Sequence, residues 1–122
     1  MIKTLAALLF GIVLLTAGGI AAEPARALSS KELKTLLAKA STPQEHLRLA
    51  SHFQAKANLY EAEAAEHADS AKAYRAKPTT SEMKHPMAPD TAAHCDYLAE
   101  SLAKAAKEAH ALAAAHEAMA KK

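Results

Sequence analysis

The sequence predicts an all-α protein: a long antiparallel helical hairpin with a short leading helix. Three observations carry this expectation. Alanine supplies 33 of the 122 residues, and alanine loses least on entering a helix. All three glycines, Gly11, Gly18 and Gly19, lie near the amino terminus, so the remaining chain lacks the residue that tight β-hairpin turns use for positive φ. Beyond residue 28, apolar residues recur at helical spacing in blocks separated by prolines.

The first element reads as an export signal. Lys3 precedes an apolar run from Leu5 to Leu15, and small residues follow from Thr16 to Ala22, the form of a secretory signal peptide. The leader covers residues 1–22, with the cut expected after Ala21 or as late as Ala27. The run is shorter than the roughly 20 residues of a membrane span. Nothing after residue 28 reads as a span, so no membrane contact is expected after cleavage. The mature chain is expected in a periplasm or outside the cell, as a single helical domain over residues 28–122.

Ser29-Ser30-Lys31-Glu32 has the pattern of a capping box, and Leu33, Leu36, Leu37 and Ala40 follow at helical spacing, giving a helix over about 30–40. Thr42-Pro43-Gln44-Glu45 is a second capping box with proline at the first helical position, where its missing N–H costs nothing. Nothing interrupts that helix before Lys77, and Pro78 ends it, so the second helix covers 43–77. Residues 78–89 carry three prolines and read as a connector. Asp90 is a cap for a third helix over about 90–120.

The second helix carries a ring at every seventh residue, His46, Phe53, Tyr60, His67 and Tyr74, alternating with Ala50, Ala57, Ala64 and Ala71. This is coiled-coil spacing, with large and small residues along one seam. The third helix offers Cys95, Leu102, Ala109 and His116 on its own seam. One antiparallel register sets Phe53 against Ala109, Tyr60 against Leu102, His67 against Cys95 and His46 against His116. His52 and His110 fall on the flanks, where solvent is expected. An alanine-rich seam buries little area per residue, so completion as a bundle by dimerisation, or by a partner helix, is expected.

Fifteen Lys and Arg against thirteen Asp and Glu leave a net charge of +2, and the charges are interspersed. With no basic stripe and no interleaved aromatics, nucleic acid is not an expected partner. The missing glycines exclude phosphate-cradling loops and dinucleotide fingerprints. Glu63, Glu66 and His67 crowd together, but no second copy faces them as a di-iron carboxylate centre requires. No serine–histidine–acid grouping arises from the helix geometry. The protein is not expected to be an enzyme.

The residues with chemistry to offer are seven histidines and one cysteine. Cys95, His67 and His94 converge on the connector end, where Met83, His85 and Met87 share one side of an extended stretch. Thioether, imidazole and thiolate form a soft ligand set that favours Cu(I), with Zn(II) second. A second candidate cluster, His46, His116 and Met119, lies at the open end. The leading functional expectation is binding of copper or another soft or borderline metal. The alternative is a structural or interaction module without metal, and a lesser one is haem held between two facing histidines.

Overall fold

The computed structural model describes residues 24–77 and 90–122. Three helices follow one another: α1 (Ser30–Lys39), α2 (Pro43–Ala76) and α3 (Thr91–Met119). All three match the sequence expectation to within a residue or so at each end. The connector and most of the expected leader lie outside the described residues. No described residue has positive φ, in keeping with glycines confined to the first nineteen positions.

Local chemistry fixes where each helix starts. Ser29 Oγ accepts the Glu32 N–H at 3.3 Å while Glu32 Oε2 accepts the Ser29 N–H at 3.0 Å. Thr42 and Glu45 repeat the reciprocal pair at 3.3 and 3.0 Å, and Glu45 Oε2 also takes the Ser41 N–H at 2.9 Å. These bonds satisfy donors that a helix start leaves orphaned. They hold the Glu32 and Glu45 carboxyls below the usual carboxylate range, chiefly through the Ser29 hydroxyl at Glu32 and the Ser41 N–H at Glu45. Asp90 caps α3 by accepting the Ala93 N–H at 3.0 Å.

α2 and α3 pack side by side along their length, and α1 docks on α2. By rise per residue the two long helices span about 50 Å and about 44 Å. Their shared seam is lined by buried alanines: Ala50, Ala57 and Ala71 from α2, with Ala92, Ala106, Ala109 and Ala113 from α3. The cross-helix contacts run antiparallel, His46 to His116 at one end, Glu61 to His110 midway and Arg75 to Asp96 at the other. The expected register holds at His46 and His116, but Phe53 stacks on His116, seven residues beyond the Ala109 expected opposite it. Methyl side chains let two helices approach at the near end of the usual separation of about 8–10 Å.

The two edges of the hairpin differ. Along one, Arg75 pairs with Asp96, and Glu61 Oε1 lies 2.7 Å from His110 Nε2. These pairs stand two heptads apart on both helices. On α3, the opposite edge is apolar. Leu98, Leu112 and Met119 stand at heptad positions there, each close to half exposed.

Among the described residues, Leu49 is the one large hydrophobic side chain almost wholly removed from solvent, at 1 % exposure, and Leu36 of α1 is buried as well. So small a core is sensitive to both lost and added volume. Leu49→Ala is expected to cost about 2–5 kcal/mol and Ala57→Leu about 1–3 kcal/mol by overpacking. Urea unfolding followed by helical circular dichroism reads both. A near-neutral Ala57→Leu would show that the helices are not in close contact at that level.

Candidate functional site

Among the described residues, the contacts between chemically capable side chains gather at the open end of the hairpin, where α2 begins and α3 ends. His46 lies one turn into α2 and His116 one turn before the end of α3. The antiparallel register therefore places them opposite each other. Their Nδ1 atoms are 3.2 Å apart, and the rings stack with centroids 5.4 Å apart and planes inclined by 24°. The meeting of His46 and His116 expected from the sequence is present.

Two further rings extend the stack. Phe53 lies parallel to His116, with centroids at 5.7 Å and an interplanar angle of 5°. His52 meets Phe53 edge-on at 5.2 Å and 73°. The order His46, His116, Phe53, His52 forms a column running from the hairpin mouth to the outer side of α2. Offset and edge-on arrangements are those aromatic quadrupoles favour.

His52 corrects the sequence expectation. It is not a solvated flank residue but a buried one, at 3 % exposure. The reason is the short segment ahead of α1, which crosses that side of α2. The Leu28 N–H donates to His52 Nδ1 at 2.9 Å, and the Arg26 N–H donates to Ser51 Oγ at 2.9 Å. A ring that accepts at Nδ1 carries its proton on Nε2 and is neutral. His110, by contrast, stays half exposed beside Glu61.

Burial holds the His52 imidazole below the usual histidine range, and the Lys56 charge pushes the same way. Burial also lowers His116, with His46 adding to the effect. The Nδ1–Nδ1 contact is a hydrogen bond only while one ring donates and the other accepts, so two charged rings cannot share it.

Cys95 and His67 are half-buried on the seam, and His94 is exposed. Met83, His85 and Met87 lie outside the described residues. Among the described residues, no three His, Cys, Asp or Glu side chains are grouped to hold a metal ion. Met119 follows His116 by one turn and is partly exposed. Long helical side chains lean towards the helix amino terminus, which is the direction of His116. Among the described residues, no helix is long and apolar enough to cross a membrane. Comparison with protein-family models, curated proteins and solved structures finds no match to this chain.

Lowered histidine pKa values in the folded state have a defined consequence. The unfolded chain takes up protons at a higher pH than the folded one, so stability is complete above the unfolded value of about 6.5 and falls as pH drops through it. The expected result is a lower urea midpoint at pH 5.5 than at pH 7.5. The Glu32 and Glu45 carboxyls, held below the usual carboxylate range by their capping hydrogen bonds, titrate outside that window. Equal midpoints would contradict the neutral state assigned to His52 and His116.

Proposed function

We propose that this protein is a small, exported, non-enzymatic helical protein that binds a soft or borderline metal ion, copper first, through His46 and His116 with Met119 as third donor. The single observation that supports this most strongly is the 3.2 Å separation of two imidazole nitrogens from facing helices. Two nitrogens bound to one ion at about 2.0–2.1 Å with a near-tetrahedral angle stand about 3.3 Å apart. The metal-free protein therefore holds its two donors close to the spacing an ion requires, with little reorganisation to oppose binding. A His₂Met set is softer than typical Zn(II) sites and suits Cu(I).

The rest of the column supports the same reading. Phe53 covers one face of His116 and limits its rotation, as packing behind a ligand ring does in metal sites. Geometry favours a bare ion over haem. Two axial nitrogens stand on opposite faces of a porphyrin, and rings 5.4 Å apart centre to centre leave no room for a macrocycle between them. The Cys95, His67 and His94 set is a separate proposal, with Met83, His85 and Met87 as its remaining donors.

A second reading rests on a different observation. The heptad stripe Leu98, Leu112 and Met119 stands exposed beside the seam, where a partner helix or second copy would complete a bundle. Here the protein is an interaction module and the ring column is packing.

Titration of the reduced full chain with Cu(I) against a chromophoric chelator separates the two. Binding at one ion per chain that falls at least about 100-fold in His46→Ala and in His116→Ala, and much less in Cys95→Ser, supports the open-end site; losses of 10–100-fold are usual even for outer-shell changes. Loss in Cys95→Ser alone would move the site to the connector end. No competition with a weak chelator, together with concentration-dependent sedimentation, would favour the interaction module.

A further inference from the structure

We propose that His52 is a proton-operated latch that holds the segment of residues 24–28 against α2 and releases it when the ring is protonated. The inference stands whether or not the open end binds metal. Three observations carry it. His52 is the one buried polar side chain among the described residues. Its Nδ1 is the acceptor for the Leu28 N–H, 24 residues away in sequence, at 2.9 Å. The strap's second attachment, the Arg26 N–H to Ser51 Oγ, is an exposed bond between groups that do not titrate, and such a bond adds little by itself.

Protonation reverses the contact at one atom. The proton enters on Nδ1, removes the lone pair that Leu28 uses, and sets an N–H against an N–H. It also creates an imidazolium in a site almost closed to water, which is unfavourable unless the charge is paired or hydrated. The charged groups around the ring do not offer pairing. α2 contributes Lys56, the strap carries Arg26, which with Arg48 acts on Glu32, and α3 contributes His116 beyond Phe53. Glu32 of α1 is engaged by Arg48 at 3.5 Å and by Ser29. Movement of the strap is the change that brings water to the ring.

The release has a natural limit. Ser29 and Glu32 close a capping box that does not depend on His52, and Leu36 keeps α1 docked. The hinge therefore falls between Leu28 and Ser29, and five residues lift while the three helices remain. Lifting them uncovers the side of α2 that carries Ser51 and His52, with Phe53 behind.

Amide exchange by NMR on the full 122-residue chain tests this. After correction for intrinsic exchange, protection of the Leu28 and Arg26 amides is expected to fall about tenfold or more between pH 7.5 and pH 5.5, while α2 stays protected. In His52→Gln, whose side-chain carbonyl can accept but does not titrate, protection should be the same at both pH values. Undiminished protection in the parent chain at pH 5.5, or an equal loss in His52→Gln, would overturn the latch. Should His52→Gln lack helical dichroism, the imidazole ¹⁵N shifts of the parent chain decide. Nδ1 protonation and loss of Leu28 protection at one midpoint support the latch. Protection that persists after the ring is charged refutes it.

Discussion

Close contact between two alanine-lined helix faces is the constraint on which the rest of this structure depends. With buried methyl groups at Ala50, Ala57 and Ala71 on α2 and at Ala92, Ala106, Ala109 and Ala113 on α3, the backbones can approach closely and little apolar area is buried per turn. Alanine alone specifies register weakly, since one methyl resembles the next. The larger residues supply that information. Stacking of Phe53 on His116 and His116 on His46 occurs in one register. The paired edge, Arg75 with Asp96 and Glu61 with His110, runs in the same antiparallel sense, with each partner nine residues further along α3 than strict opposition from the His46–His116 level would place it.

These contributions differ in kind. Exposed ion pairs add little to stability, so the paired edge acts mainly by disfavouring alternatives, which would bring unlike residues or like charges together. The ring column is partly buried and places ionisable groups inside a small core. Neutral imidazoles are tolerated there because Nδ1 of His52 has a donor and the Nδ1 atoms of His46 and His116 have each other. The same arrangement ties the open end of the domain to the protonation state of its histidines. A metal ion at the proposed site would displace the proton that the two facing imidazoles share.

Much of this was legible in the sequence, for identifiable reasons. Two capping boxes, Pro43 and Pro78 marked helix ends through local chemistry, which needs no knowledge of the tertiary fold. The heptad repeat of rings and alanines pointed to His46 opposite His116, but it set Phe53 against Ala109, whereas Phe53 stacks on His116 one heptad further along. His52 was not legible. Its burial depends on residues 24–28, a short extended segment with no periodicity, whose backbone rather than side chains makes the contacts. The Arg75–Asp96 and Glu61–His110 pairs were within reach, since all four residues occupy one flank of the same heptad frame. The expected gathering of Met83, His85 and Met87 towards Cys95 falls on a connector outside the described residues.

The account stands on the register, and ring-proton NMR reads the register directly. Nuclear Overhauser contacts between the His46 and His116 rings, and between Phe53 and His116, are expected at neutral pH in the metal-free chain. A slip of one heptad would place His46 near Ala109 instead and leave His116 beyond the start of α2. Contacts from the His46 ring to the Ala109 methyl, without contacts to His116, would contradict the seam, the ring column and the metal site together.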